Sequence, residues 1–322
     1  MKNLLLIISF AIVSVQGIGQ QTQLSSLFNY NRLALNPAEA GASNASVFSL
    51  NYRNQWASYV GAPTTGWFMG STRLNDNMGI GGVLVYDELA FLKTIDAQVK
   101  YAYRVLLSSE TTLSLGVAAG INNSTISFDN ILTDDYSDAV LYSNGVGGNL
   151  YDASAGFLLQ FKDELNIGLS FPQLLSPRLE VPSPMLNTTY DLQSHMNLYV
   201  NYKIDGESAT LEPTLMVRRT NASFQFDLMA NMTFNDQILA GIGVRQQSGL
   251  IINAGYLLND KYSFIYAYDM GRNGAAAATN GSHEIMLKMY LEKSPFPKKK
   301  KKKKDDDEED GGGEGEKEKM IF

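Results

Sequence analysis

The 322-residue chain contains no cysteine and only two histidines, His195 and His283, which lie far apart in the sequence. Without cysteine the chain has no thiol nucleophile, no disulfide and no cysteine-ligated metal site. Two isolated histidines also argue against a histidine-based catalytic triad or zinc centre. We therefore expect no metal, no cofactor and no enzymatic activity.

Charged residues are also scarce, since they make up 18% of the chain, against about 25% in a typical soluble protein. Aromatic residues are abundant, with 17 Tyr and 15 Phe. Beyond its N-terminal region the chain has no uninterrupted apolar run of the roughly 20 residues that a membrane helix needs. The composition favours a membrane protein that is not built from transmembrane helices.

The N-terminus has the layout of a secretory signal peptide. A basic start at Met1-Lys2-Asn3 precedes an apolar run from Leu4 to Val15, and small and polar residues follow. The run is too short to span a bilayer. We predict a signal peptide over residues 1–19 and an exported protein, for which a nucleic-acid partner is implausible.

Period-two alternation of apolar and polar residues, which is typical of strands with two different faces, recurs after the signal peptide. In segment 223–234 only Met229 breaks the alternation. The predicted strands cover residues 47–54, 66–73, 78–87, 94–105, 113–122, 151–161, 165–171, 196–203, 210–218, 223–234, 237–246, 250–258, 262–271 and 283–291.

The connections between these segments alternate between long or variable loops and short turns rich in Asn, Asp and Gly. Outer-membrane barrels show this asymmetry, with tight periplasmic turns and larger external loops. We predict an all-β, transmembrane, antiparallel up-and-down barrel of about fourteen strands at residues 45–291, located in the outer membrane. A periplasmic segment at residues 20–44 precedes it, and a soluble β protein is the alternative.

Two further features belong to the barrel prediction. Tyr and Phe at strand ends suggest an aromatic girdle at the lipid interface, for example Tyr262, Phe264, Tyr266 and Tyr268, or Tyr199 and Tyr202. Charges of both signs face the predicted lumen, where they would pair and fill it, as in a scaffold rather than an ion-selective pore. These residues are Arg53, Asp96, Lys100, Arg104, Lys203, Glu212, Arg218, Asp227, Arg245, Glu284 and Lys288.

Residues 292–322 form a low-complexity tail with ten acidic and ten basic residues, including seven consecutive lysines at 298–304 and a wholly acidic run at 305–310. Such a block cannot fold alone. We predict a charged periplasmic tail in which Lys298, Lys301 and Lys304 are candidates for contact with anionic lipid, peptidoglycan or a periplasmic partner. A solvated or self-neutralising extension is the alternative.

Three motifs near the start of the mature chain resemble those of the PorP/SprF family. They are Asn36-Pro37-Ala38-Glu39-Ala40-Gly41, then Tyr52-Arg53-Asn54-Gln55-Trp56, then Gly61-Ala62-Pro63-Thr64-Thr65. Members of this family are outer-membrane components associated with type IX secretion and gliding motility in Bacteroidota. The resemblance extends from about Gln23 to Leu291 and does not include the tail.

The resemblance implies recognition of a secreted cargo's C-terminal domain from outside and contact with periplasmic secretion or gliding subunits below. Rigid aromatic and Arg anchors dominate recognition, so segment 52–68 is the candidate binding surface. Its candidate partner-binding residues are Tyr52, Arg53, Gln55, Trp56, Pro63 and Thr64. The alternative is a structural use, in which Tyr52 and Trp56 are girdle aromatics and Pro63 stiffens an external loop. Asn36, Pro37 and Gly41 are interpreted as a turn motif just before the first strand.

The leading hypothesis is a non-enzymatic outer-membrane barrel that supports secretion or surface anchoring of large cargo proteins such as adhesins. The alternative is a passive outer-membrane channel or solute-uptake barrel, which rests on fold alone. A barrel-embedded hydrolase needs an activated nucleophile beside a base, and neither His lies next to a plausible Ser in a recognisable motif.

Overall fold

The computed structural model describes residues 23–127, 146–181, 188–221, 223–246, 249–272 and 277–291. The signal peptide and the charged tail lie outside these ranges, so both stay predictions. Apart from an α-helical turn at Arg32–Leu35 and a 3₁₀ turn at Pro37–Glu39, the regular structure is β-strand. No helix within the described ranges is long and apolar enough to cross a membrane.

The strands lie where the alternation predicts them, and long connections alternate with short turns along most of the chain. In chain order they are β1 Ser46–Asn54, β2 Thr64–Arg73, β3 Met78–Leu89, β4 Leu92–Ser108, β5 Thr111–Ile126, β6 Val146–Phe161, β7 Leu165–Phe171, β8 Arg178–Val181, β9 Thr188–Asp191, β10 Met196–Tyr202, β11 Ile204–Asp205, β12 Ala209–Arg219, β13 Phe224–Phe234, β14 Ile238–Arg245, β15 Gly249–Leu258, β16 Tyr262–Gly271 and β17 Ser282–Leu291.

Fourteen of these strands form one closed antiparallel barrel. Strands β1 to β7 pair in chain order, β7 pairs with β10, and β12 to β17 again pair in chain order. The β1–β17 and β10–β12 pairs close the barrel, so no strand edge is left open. Strands β8 and β9 form a separate hairpin, and β11 is a short addition beside β12. The predicted fourteen-strand barrel is confirmed.

One end of the barrel carries the long β1–β2, β5–β6, β7–β10 and β16–β17 connections together with shorter ones, whereas the six connections at the other end are all short turns. Three of them place two consecutive residues at positive φ, namely Lys162-Asp163, Asn235-Asp236 and Asn259-Asp260. This is the type I′ geometry that fits the twist of two-residue hairpins and that Asn and Asp tolerate. By the asymmetry of outer-membrane barrels, this end is periplasmic and the opposite end is external.

The two faces of the strands differ as the alternation predicts. The outward face is apolar and exposed, as lipid requires, and the inward face is largely polar and buried. Of the predicted lumen charges, those now found buried are Arg53, Lys100, Arg104, Arg218, Asp227, Arg245 and Glu284.

Several sequence-based expectations differ from the structure. Lys203 lies after the end of β10, where it is partly exposed and pairs with Asp205 at 3.1 Å, so its lumen assignment is wrong. Tyr199 is 2% exposed and points into the lumen, so it is not a girdle residue. Strands β4, β5 and β6 have 17, 16 and 16 residues, longer than the segments predicted there.

The largest difference concerns the segment before β1. The sequence pattern predicts a periplasmic segment at residues 20–44, whereas the structure places residues 23–45 inside the barrel. We call residues 23–45 the plug. Its residues Leu27, Phe28 and Ala38 are at most 2% exposed. The pattern did not indicate this because the plug carries almost no regular secondary structure and its contacts lie on strands far away in the sequence.

Candidate functional site: an occupied lumen between two rims

The plug runs along the lumen from the external half to the periplasmic end. Ser25 and Ser26 contact Glu284, which lies near the external start of β17. Gly41, by contrast, contacts Ser71 and Arg73 at the periplasmic end of β2. The polypeptide then enters β1, so one chain segment connects the two halves of the lumen.

At the external end the plug is bound by a chain of six buried charged groups, which we call the outer ion cluster. The guanidinium of Arg53 lies 3.1 Å from both Glu284 and Asp269. Arg245 lies 2.8 Å from Asp269 and 3.1 Å from Asp227. The members of the outer ion cluster are Arg53, Arg218, Asp227, Arg245, Asp269 and Glu284.

The plug completes the hydrogen bonding of this cluster. Glu284 accepts hydrogen bonds from the Ser26 backbone at 2.6 Å and from the Asn51 side chain at 2.7 Å. Arg245 donates to the Ser25 carbonyl at 2.8 Å, and Arg53 donates to the Ser26 hydroxyl at 2.7 Å. Three cations and three anions balance, which a buried cluster needs because unpaired charges are costly to bury.

Just below the cluster, two apolar plug residues fill the middle of the lumen. Phe28 packs with Met216, Met229 and Ile251, and Leu27 packs in a neighbouring cluster. Each buried side chain of this size contributes about 1.5–3 kcal/mol through the hydrophobic effect. This packing also explains why Met229 breaks the alternation of β13, since it faces the plug and not lipid.

Further down, the barrel wall donates hydrogen bonds to the plug's backbone carbonyls. Irregular backbone at membrane depth must find its partners within the protein. Lys100 donates to Leu33 and Ala34 at 2.7 and 3.1 Å. Further wall donors to plug carbonyls at this depth are Lys288 to Tyr30, Ser170 to Leu35, Arg104 to Ala40, and Arg73 to Gly41 and Ala42.

The periplasmic half of the plug lies on a row of small wall residues, which we call the small-residue track. Its members are consecutive register partners on β3 to β7: Gly79, Ala102, Gly116, Gly156 and Ser170. Larger side chains at these positions would occupy the space that the plug fills. A Cβ added to Gly116 would collide with the Ala38 backbone, and a Cβ added to Gly79 would collide with the Ala40 carbonyl.

The motif residues Asn36, Pro37 and Gly41 therefore lie in the lumen on this track. The Asn36 side chain caps the 3₁₀ turn by accepting from the Ala38 backbone at 2.9 Å, and it donates to the Phe157 carbonyl of the wall at 2.9 Å. Gly41 has φ +62° and leaves no room for a Cβ beside the Thr72 carbonyl. They form a turn that fits against the wall, ahead of β1.

The structure separates two of the predicted partner-binding residues. Tyr52 faces lipid and is 53% exposed, whereas Arg53 faces the lumen and is 2% exposed. Adjacent strand residues point to opposite faces, so these two side chains cannot share one surface. Arg53 belongs to the outer ion cluster and is not available to an external partner.

The other four predicted residues belong to the β1–β2 loop or its edge. Gln55 donates its backbone N–H to the Pro63 carbonyl at 2.9 Å, and Thr64 begins β2. Trp56 has φ 54° and donates its backbone N–H to the Ser282 hydroxyl at 3.1 Å. The loop is thus held against the β16–β17 connection.

Four further apolar residues are exposed at the external end, of which only Tyr59 and Val60 lie within the candidate segment 52–68. Tyr59 and Val60 are 58% and 95% exposed on the β1–β2 loop, and Leu89 and Phe91 are 43% and 53% exposed at the adjacent β3–β4 turn. The Ala90 backbone donates to the Gly61 carbonyl at 3.1 Å and joins the two loops. We call Tyr59, Val60, Leu89 and Phe91 the external patch.

The two histidines lie at separate places. The His283 ring nitrogen lies 2.7 Å from the Tyr266 hydroxyl. His195 lies in the connection before β10, where burial lowers the pKa of its imidazole. Within the described ranges, no group of three His, Cys, Asp or Glu side chains could hold a metal ion.

Solved structures share the barrel fold. The Ralstonia pickettii toluene transporter TbuX aligns with a TM-score of 0.52 and 10% identity, over 81% of this chain and 93% of that one. The CymD monoaromatic hydrocarbon channel aligns with a TM-score of 0.51 and 10% identity, over 85% of this chain and 95% of that one. At this identity the likeness extends to the fold alone. No curated protein matches the chain by sequence.

A family model described as "Type IX secretion system membrane protein PorP/SprF" matches residues 17–289. The match includes the plug and the fourteen barrel strands up to residue 289 of β17. Family and fold together show that the chain is a β-barrel of the outer membrane. The chain belongs to the PorP/SprF family of type IX secretion system membrane proteins.

Proposed function

We propose that this protein is a non-enzymatic scaffold of the type IX secretion and gliding machinery that works at its two rims and does not transport through its lumen. The plug is the observation that carries the proposal. A lumen that holds the chain's own backbone by buried charges and apolar side chains is suited to a rigid support.

At the external rim, the external patch supports an interaction with the C-terminal domain of a secreted cargo such as an adhesin. Its residues are apolar, and contacts with neighbouring loops hold them in place. The Ala57 backbone donates to the Gly281 carbonyl at 2.7 Å, and the Asn280 backbone donates to the Ala57 carbonyl at 3.0 Å. Such rigid aromatic anchors favour tight recognition.

At the periplasmic rim, the short turns are the surface available to secretion or gliding subunits. Leu106 and Leu107, at the end of β4, are 68% and 57% exposed, and the β4–β5 register shifts between Leu106 and Ser108. Apolar residues at a turn are unusual and support a contact with lipid headgroups or a partner there.

The proposal is tested in the parent bacterium by deleting the gene and restoring it as wild type or as variants. Val60→Asp adds one charge to the external patch, and Asn221→Asp adds the same charge to the exposed β12–β13 loop as a matched control. We expect deletion and Val60→Asp, but not Asn221→Asp, to reduce surface display of cargo. Affinity purification of the tagged barrel from detergent extracts should recover cargo or periplasmic subunits. Normal display after deletion would contradict the scaffold function.

The alternative function is a passive channel or solute-uptake barrel, which the names of the similar solved structures suggest. It predicts steady conductance or solute flux through the purified barrel. Recovery of the barrel alone, with no stoichiometric partner, together with such conductance would favour the channel.

A further inference from the structure

A cavity of about 500 Å³ opens where the plug leaves the lumen at the periplasmic end. It lies between the end of the plug and the β2–β3, β4–β5 and β6–β7 turns. We call it the inner cavity. Its charged lining residues are Arg73, Arg104 and Lys162 and the acidic residues Asp76, Glu110 and Asp163.

Among the residues that the structure describes, neither of the two arginines at its inner side has a carboxylate within 4 Å. Arg104 is 3% exposed, donates through one nitrogen to the Ala40 carbonyl, and leaves its Nε and Nη1 without a partner among the residues that the structure describes. Arg73 donates to the next two carbonyls, Gly41 and Ala42, at 3.2 and 2.9 Å. Two guanidinium groups on consecutive carbonyls, neither in an ion pair within the described ranges, form a positive region that favours a carboxylate.

The outer edge of the same cavity has the opposite sign. Asp76, Glu110 and Asp163 lie on exposed turns, and Lys162 lies 3.5 Å from Glu110 in an exposed ion pair. The cavity therefore presents positive charge inside and negative charge at its mouth. A ligand that matches it carries carboxylates next to a cationic block.

We propose that the inner cavity is a carboxylate-binding site and that its occupant is residues 298–310 of this chain. This segment has seven lysines followed directly by six acidic residues. The acidic run would bind Arg73 and Arg104, and the lysines would lie against the turn carboxylates. The proposal is independent of the proposed function in secretion.

The length of the chain allows this contact. The tail begins after Leu291 at the periplasmic end of β17, and β4 is four strands away through β1, β2 and β3. Neighbouring strands are about 4.8 Å apart, so this path is on the order of 20 Å. Residues 292–304 can span about 43 Å when extended. The acidic run therefore reaches the inner cavity without strain.

The carboxylates of the acidic run gain more from binding in the inner cavity than from pairing with the lysines of the tail. Lysines and acidic residues that pair with each other in water are screened and gain little. The guanidinium of Arg104 is already removed from water, so a carboxylate beside it is attracted in a lower dielectric and removes an unpaired buried charge.

The test uses the intact chain in detergent and a carbodiimide, which joins a lysine amine to a contacting carboxylate as an amide. Mass spectrometry then compares links from Lys298–Lys304 to Asp76, Glu110 and Asp163 with links to Asp236 and Asp260. Asp260 is the stringent control because its turn adjoins β17, where the Tyr290 backbone donates to the Lys261 carbonyl at 2.7 Å.

We expect links to the three cavity carboxylates to exceed those to the two controls by about fivefold, because docking raises their effective concentration. Changing the six acidic residues 305–310 to Asn or Gln should remove this preference. Links confined to the tail, equal linking of both carboxylate groups, or a preference that survives the neutralised variant would each overturn the proposal.

Discussion

The two halves of the plug are held in different ways. The external half, Ser25 to Phe28, is held by side chains. The six charged groups of the outer ion cluster bind it, and its own Leu27 and Phe28 pack against apolar wall residues. The periplasmic half, Asn36 to Ala42, depends on the shape of the wall, because glycines make room for its backbone and wall donors bind its carbonyls.

Because of this difference, the two halves of the plug are sensitive to different substitutions. A charge network fails when one partner is removed, since the remaining ion is buried without compensation. A backbone that lies against glycines is displaced when side-chain atoms are added to them, because both cannot occupy the same space. The following predictions test the comparison, from the largest expected effect to the smallest.

Removing Glu284 should destabilise the external half most. Glu284→Ala leaves Arg53 with one carboxylate and the Ser26 backbone without its acceptor, at a cost of about 3–5 kcal/mol. The measurement is the midpoint of heat or denaturant unfolding of the purified barrel, followed by gel mobility. The control Glu110→Ala removes an exposed ion pair with Lys162 and should cost about 0–1 kcal/mol. Equal effects of the two variants would contradict a buried network.

Adding atoms to the small-residue track should displace the periplasmic half. Gly116→Val places a side chain in the Ala38 backbone, with an overpacking cost of about 1–3 kcal/mol that is relieved when the plug moves. Trypsin cleavage after Arg32 reports the displacement. Gly66→Val is the matched control because a Cβ there meets nothing within 4 Å. Protection of Arg32 in both variants would show that the plug does not lie on the track.

Removing a single wall donor should have the smallest effect. Lys100→Met keeps the length of the side chain but leaves the Leu33 and Ala34 carbonyls unpaired, at a cost on the order of 1 kcal/mol for each carbonyl. The exposed Lys203→Met is the control and should be near neutral. Hydrogen exchange in segment 31–36, followed by mass spectrometry, checks the local loosening. Unchanged exchange in Lys100→Met would argue against carbonyl binding by the wall.

The sequence predicts the lipid-facing half of the molecule well and the lumen poorly. Lipid demands apolar side chains at every second residue, so segments such as 94–105 identify both the strand and its outer face. The wall charges Arg53 and Arg245 are also predictable as inward residues. Asp269, however, was missed, although it continues the inward series of Ser263, Ile265 and Ala267.

The plug could not be predicted because no local rule specifies it. Residues 23–45 have no period, and their partners lie on strands as far apart in the sequence as β1 and β17. Indirect signals were present: Met216, Met229 and Ile251 are apolar on the inward face, where a water-filled lumen would favour polar residues. Tyr199 is a further case, since its hydroxyl donates to Glu39 of the plug instead of lying in the girdle.

The most direct test of the occupied lumen is the electrical conductance of the purified, full-length chain in planar bilayers. The plug predicts no steady open state for the wild type and a salt-dependent conductance for Gly116→Val, in which the plug is displaced. A steady wild-type conductance that rises in proportion to salt concentration would contradict the account, because it would require a continuous aqueous path where Phe28 and the outer ion cluster lie.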